Sequence, residues 1–489
     1  MIAAGLDFGT QSVKLIVYDS EKRKELASAS HPFRLISRDD GSREQMAEWW
    51  IEGLCACFAA IPLDIRKSIK GIGVSGQQHG FVPLSSDGTV LAPVKLWCDT
   101  STASECDELT AAYGGRDRLI GNVGNAILPG YTASKILAFR KNSPELYARM
   151  AHVMLPHDYI NYWLTGSVTM ERGDASGTAL YNIYKNCWDD ELCSLISPDL
   201  ISRLPDVSDS KGLAGYVRRE AADMLGLGYD VAVSAGGGDN MMSAIGTGTV
   251  REGRLTMSLG TSGTLFAFSE TPVVDRKCRL AGFASSSGGY LPLLCTMNCT
   301  VASELMRNLM ELSVSSFDEL AATAPIGSEG LVMLPFFNGE RVPNYPRGEG
   351  VLAGMNMSNV RKANIARAAL EGVSFEFLLG IEAFRESGFR AGEISLTGGG
   401  SKSSIWRSII ADLTGLRVRV PSVKEAAAFG GVLQVLSVLE HKDIADIADE
   451  YIEFDDSKEA LPALDKNTEY IKAYQKWRSY SDSLGGLYE

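Results

Sequence analysis

Two carboxylates stand beside glycines in a way that suits group transfer. Asp239 follows Gly236-Gly237-Gly238, precedes Asn240, and comes directly after the apolar stretch Val231 to Ala235. Three successive glycines cost conformational entropy that a simple helix cap does not demand. A carboxylate held in a glycine-lined cleft is suited to take the proton of an attacking hydroxyl, which makes Asp239 a candidate general base. The alternative is an N-cap for a helix over Met241 to Ile245. Asp7 stands in Asp7-Phe8-Gly9-Thr10, between the apolar runs Ile2 to Leu6 and Val13 to Tyr18. A Gly-Thr turn lets backbone N–H groups and a hydroxyl converge on a phosphate. Asp7 would repel that phosphate unless Mg²⁺ lay between them, so it is a candidate metal ligand. An ordinary hairpin turn, with Asp7 bonding local amides, is the other reading. A second Gly-Thr turn, Gly260-Thr261-Ser262-Gly263, again lies between apolar runs and favours the phosphate reading.

Further polar groups sit at similar places. Gly76-Gln77-Gln78-His79-Gly80 follows a strand-like run, where α/β proteins open their ligand clefts. Its amides and imidazole suit a polyhydroxylated ligand; a histidine satisfied by nearby backbone is the alternative. Gly398-Gly399-Gly400-Ser401 joins a strand to a helix starting near Ser403, where an anion, a flat ring or a ribose is favoured, or the packing is merely tight. Gly430-Gly431 lines the same pocket or serves helix packing.

Three known signatures do not apply. The DFG of protein kinases needs a Gly-rich loop and a catalytic loop upstream, and only six residues precede Asp7. Gly71-Ile72-Gly73-Val74-Ser75-Gly76 matches G-x-G-x-x-G, but its first glycines fall inside a strand and no helix follows. No Gly-Lys dipeptide exists, which excludes a Walker A loop.

The elements that position these residues follow from periodicity. Strands are expected over Ile2 to Leu6, Val13 to Tyr18, near Leu26 to Ser30, Ile69 to Val74 and Val231 to Ala235, with helices over Met46 to Ile61 and Thr132 to Lys141. After Arg251-Glu252-Gly253 the pattern restarts: strand Leu255 to Leu259, Gly-Thr turn, strand Thr264 to Phe268. A helix over Lys362 to Glu386 and a strand over Glu393 to Thr397 follow. The tail from Leu461 reads as a peripheral polar helix. This internal repeat predicts two similar α/β domains, residues 1–250 and 251–489, with a cleft between them. At 489 residues, 45% hydrophobic and 22% charged, the chain is sized for two or three globular domains. A net charge of −13 argues against nucleic-acid or anionic-membrane partners. No apolar run of about 18 residues and no basic leader occur, so a cytoplasmic protein is expected. The nine cysteines are scattered without a C-x-x-C, and no structural metal is expected.

LDFGTQSVK, GVSGQQHG, LWCDTSTA, LPGYTASK, LPHDYINYWLTG, GDASGT, AGGGDN, SLGTSGT, NGERVPNYPRG, Gly350 to Glu371 and LTGGGSKSSIWRSIIADLTG occur in that order along nearly the whole chain. In this the sequence resembles the FGGY carbohydrate kinases, and among them those acting on D-xylulose. The resemblance implies two actin-like (ribonuclease H-like) domains with a catalytic cleft between them, the first holding the sugar and the second the nucleotide. It implies ATP as donor with Mg²⁺, D-xylulose or a related ketose as acceptor, and often a homodimer. By the same resemblance Asp239 falls on the catalytic base, Gln78, His79 and Asn240 on sugar contacts, and Asp7 on the Mg²⁺ position. Thr10 and Thr261 fall on the phosphate turns, and Gly399, Gly400 and Ser401 on the adenosine side. Ala138 stands where the family usually has Trp, and Ser101 or Thr102 where an Arg is often found. Another ketose or polyol, such as ribulose, is the nearest alternative substrate; a sugar sensor or an actin-like ATPase is a remote one.

Overall fold

The computed structural model describes residues 1–488 and contains two mixed sheets built on one plan. In the first, the β-branched and apolar runs Ile2–Phe8 and Ser12–Asp19 form an antiparallel hairpin, and Lys24–Pro32 extends it on one side. On the other side Gly71–Gly76 pairs in parallel with Ile2–Phe8, and Ala232–Ser234 and Gly237–Gly238 pair in parallel with Gly71–Gly76. In the second, Arg254–Leu259 and Gly263–Ala267 form the hairpin, Leu293–Thr296 extends it, and Glu393–Thr397 and Arg417–Arg419 continue in parallel. Repetition of this order gives the actin-like α/β architecture in two copies.

Each sheet has its own core. Trp50, Leu54 and Phe58 of the Ala47–Ala59 helix pack with Ile72 and Val74. Phe375 and Phe377 of the Lys362–Glu386 helix pack with Met257 and Leu259. The polar C-terminal helix, Leu464–Gly485, is not peripheral: it inserts Tyr470, Tyr474 and Trp477 into this second core, Trp477 being fully buried. Three aromatics spaced along one face outweigh the polar composition of the rest.

The Ala426–Glu440 helix lies late in the chain but packs on the first sheet. Its glycines permit that approach. A Cβ on Gly430 would stand 1.9 Å from the Met242 carbonyl oxygen, and one on Gly73 would stand 2.0 Å from that of Gly431. Gly430 and Gly431 therefore serve close packing. The same helix explains Gly71 and Gly73 of the G-x-G-x-x-G look-alike, while a Cβ on Gly76 would meet His157. Among the described residues no helix is long and apolar enough to cross a membrane.

Candidate active site

The parallel register of the first sheet brings its chemistry to one edge. Asp7 is opposite Ser75, and Ser75 is opposite Gly237, so three strands end together. Past those ends lie Gly9-Thr10, Gln77-Gln78-His79 and Asp239-Asn240. Ser75 Oγ donates to Asp7 Oδ1 at 2.9 Å. Asp239 is the first residue of the Asp239–Gly246 helix, whose cap is Gly238. Among the described residues its carboxylate accepts only from Asn240, at 2.8 Å from N and 3.1 Å from Nδ2, so the N-cap alternative does not hold. Burial pushes the Asp239 carboxyl up to about 7, with Asp7 and Asp174 adding to it. Asp7 is itself raised by burial, against the pull of its Ser75 bond and of Lys14.

Each glycine before Asp239 meets a neighbour. Gly236 has φ +76, and a Cβ there would lie 2.6 Å from the Val74 carbonyl; on Gly237 it would lie 2.3 Å from Ser286 Oγ, and on Gly238 2.6 Å from Gln78 Cγ. Gln434, from the late helix, clamps this run. Its Oε1 accepts from Gly236 N at 2.8 Å and Ser234 Oγ at 2.7 Å, and its Nε2 donates to Gly236 O at 3.0 Å. Nothing in the local sequence marks Gln434 for that task.

Gln78 Oε1 accepts from Asn240 Nδ2 at 2.9 Å, joining two predicted sugar contacts. His79 has φ +65, a strained backbone for a non-glycine residue. Its carbonyl accepts from Lys135 Nζ at 2.8 Å and Thr132 Oγ1 at 3.2 Å. The ring lies 4.6 Å from Tyr131 and 5.7 Å from Phe283. Burial, then Lys135, holds the imidazole well below its ordinary pKa and therefore neutral. Lys135 is fully buried and is lowered to about 7 by desolvation. Its place in LPGYTASK was the one available sign of this role.

The Thr10 hydroxyl is already engaged: it donates to Gln77 Oε1 at 3.0 Å and accepts from Trp97 Nε1 at 2.8 Å. Gln77 in turn donates to Gln45, which also accepts from Trp50 at 3.0 Å. This network fixes the turn, with Gly9 N donating to Ser12 O at 3.0 Å and Thr10 O accepting from Gln45 Nε2 at 2.7 Å. Where the family often has Arg, Ser101 donates to Asp99 Oδ1 at 2.6 Å.

The second sheet gathers the remaining predicted residues at its own parallel ends. Ser258 is opposite Thr397. Gly398, at φ +81, sits so close that a Cβ would lie 2.4 Å from the Leu259 carbonyl. The Gly399–Lys402 turn therefore stands beside Gly260-Thr261. Thr300 N and Cys299 N donate to the carbonyls of Gly260 and Thr261 at 2.9 and 3.0 Å. Thr261 and Gly399 are exposed, while Gly400 and Ser401 are buried; Ser401 Oγ donates back to Gly398 O at 2.8 Å.

Residues 2–246 match the N-terminal domain, and residues 255–437 the C-terminal domain, of the FGGY family of carbohydrate kinases. The chain is 40% identical over 489 residues to a xylulose kinase of Haemophilus influenzae, covering 98% of this chain and 99% of that one. A solved xylulose kinase of Rhodospirillum rubrum superposes with a TM-score of 0.91 at 25% identity, each chain covered in full. A gluconate kinase of Lactobacillus acidophilus gives 0.92 at 22% identity, covering 100% of this chain and 99% of that one; at that identity the likeness is one of fold.

Proposed function

The chain belongs to the FGGY family of carbohydrate kinases, and from that premise we propose that it moves the terminal phosphoryl group of ATP to the 5-hydroxyl of D-xylulose, giving ADP and D-xylulose 5-phosphate. The observation that carries the reading is Asp239, a carboxyl lifted to about 7 at the end of three parallel strands, beside the linked amides of Asn240 and Gln78.

In the reaction the sugar O5 forms a bond to the γ-phosphorus, the bond from that phosphorus to ADP breaks, and the O5 proton passes to Asp239. The transition state is loose, so Asp239 chiefly orients O5 and takes the proton late. Gln78, neutral His79 and Asn240 hold the sugar hydroxyls. The turns at Thr10 and Thr261 offer backbone amides to the phosphates, and Gly399, Gly400 and Ser401 lie against the adenosine. Asp7, a hard oxygen donor whose charge raises the pKa of Asp239, would hold Mg²⁺, which would offset the Asp7 charge. When bound with the nucleotide, the ion offsets the charge on the phosphate oxygens.

A second reading, phosphorylation of another ketose or polyol such as ribulose, is kept open by Ala138 and by a fold shared with a gluconate kinase. Coupled ADP release with Mg-ATP against D-xylulose, D-ribulose, L-ribulose, L-xylulose and glycerol separates the two. We expect the highest kcat/KM for D-xylulose, and a kcat lower by about 10² to 10⁴ in Asp239→Ala. Preference for another sugar moves the substrate; a variant keeping more than half of wild-type kcat removes Asp239 as base.

A further inference from the structure

Behind the proposed sugar contacts lies a buried row of acid, imidazole and acid. His157, in the first turn of the Pro156–Thr165 helix, places Nδ1 2.7 Å from Asp174 Oδ2 and Nε2 2.9 Å from Asp158 Oδ1. All three side chains are at most 2% exposed. Burial alone would push the ring down, but Asp158 and Asp174 together hold it well above its ordinary pKa, as imidazolium. Nδ1 is hydrogen-bonded to Asp174, whereas Nε2 lies close to the Asp158 carboxylate without hydrogen-bond geometry, so the three groups form an ion-paired row held by one directed bond.

Asp174 has a second oxygen not paired with His157. Its backbone sits in the Arg172–Ala175 turn of helix, capped by Glu171, whose oxygens accept from Gly173 N at 2.7 Å and Asp174 N at 3.1 Å. With Oδ2 on His157, its Oδ1 has no hydrogen-bond partner. That oxygen lies 3.1 Å from where a Cβ on Gly238 would stand, and Gln78 Cγ lies 2.6 Å from the same point. Gln78 Nε2 is without a partner as well, while His79 Nδ1 lies against the Gly177 backbone. A Cβ on Gly177 would lie 2.5 Å from His79 Nδ1 and 3.5 Å from Gln78 Nε2. One acceptor, Asp174 Oδ1 beside Gly238, and one donor, Gln78 Nε2 beside Gly177, are thus left unmatched. Buried polar groups are seldom left so unless something completes them, and a sugar hydroxyl, both donor and acceptor, matches both.

We propose that Asp174 is a specificity-determining contact for the acceptor sugar: its unpartnered oxygen accepts a hydrogen bond from one hydroxyl of the open-chain ketose, and His157, braced by Asp158, is the positioning residue that keeps that oxygen aimed. A site built to accept a hydroxyl proton rejects an analogue lacking that hydroxyl far more strongly than a site that only fits its shape. This rests on the ketose-kinase reading above, and wild-type ADP release with D-xylulose tests that reading separately.

The experiment compares wild type, Asp174→Asn and His157→Gln with D-xylulose and its 1-, 3- and 4-deoxy analogues. We expect Asp174→Asn to raise the KM for D-xylulose by about tenfold or more, as removal of a buried, charged hydrogen-bond acceptor does, with the KM for ATP within about twofold of wild type. One deoxy sugar should be discriminated against by wild type and no longer by Asp174→Asn, with His157→Gln intermediate. A purely structural role would lower Tm without this split between the two KM values. If Asp174→Asn folds and its KM for D-xylulose stays within about twofold of wild type, the free Asp174 oxygen does not contact the sugar and the proposal is wrong. Should that variant not fold, calorimetric titration of the wild-type protein decides: equal Kd for all three deoxy sugars overturns the proposal.

Discussion

Asp239 combines a catalytic role with a stability cost, and both follow from the same raised pKa. Its carboxyl is lifted from 3.8 to about 7 by burial and then by Asp7. Between those values the folded chain holds a proton that the unfolded chain has lost. Stability therefore falls as pH rises from about 4 to 7, and the penalty is fully present above 7. Asp239→Asn should accordingly raise the unfolding free energy at pH 8 by about 1 kcal/mol or more, since a tenfold difference in proton affinity between the folded and unfolded chain is worth about 1.4 kcal/mol. The gain should shrink toward pH 4. Urea unfolding at both pH values tests this, and an equal gain at each would mean that the carboxyl titrates normally. In the wild type, kcat/KM for the sugar should rise with pH up to about 7 and then level off.

Among the elements, the Ala426–Glu440 helix does the most to set the site. It belongs to the second half of the chain, yet Gly431 lets it lie against the Gly71–Gly76 strand and Gly430 against the Asp239–Gly246 helix, and Gln434 then reaches the Gly236 loop. One amide satisfies both the N–H and the C=O of Gly236, so the position of Asp239 depends on a residue from another half. Gln434→Leu keeps the volume and removes every one of those bonds. It should lower the unfolding free energy by about 2–4 kcal/mol, the cost of orphaning buried backbone groups, and lower kcat about tenfold or more by loosening the base. Denaturant midpoints and steady-state kinetics measure the two effects. A normal kcat in a destabilised variant would restrict Gln434 to stability.

For the molecule as a whole, two sheets of the same order present their parallel ends, one set bearing Asp7, Gln78, His79 and Asp239, the other Thr261 and Gly399 to Ser401. Water competes with the sugar for the phosphoryl group, so the two sets should close together only when the sugar is present. Small-angle scattering with D-xylulose and a non-hydrolysable ATP analogue should give a smaller radius of gyration than the free protein. Superimposable profiles would count against closure. Much of this was legible in the sequence: the two hairpins with their Gly-Thr turns, the glycine run before Asp239, and the Lys362–Glu386 helix are local patterns, fixed by periodicity and by residues that tolerate tight turns. The rest depended on partners far apart in the chain. The packing role of Gly430 and Gly431, the clamp by Gln434, the buried face of the C-terminal helix and the pairing of His157 with Asp174 all arise where distant segments meet. Periodicity along one segment carries no information about which other segment will cover it, so those roles were decided only by the tertiary structure.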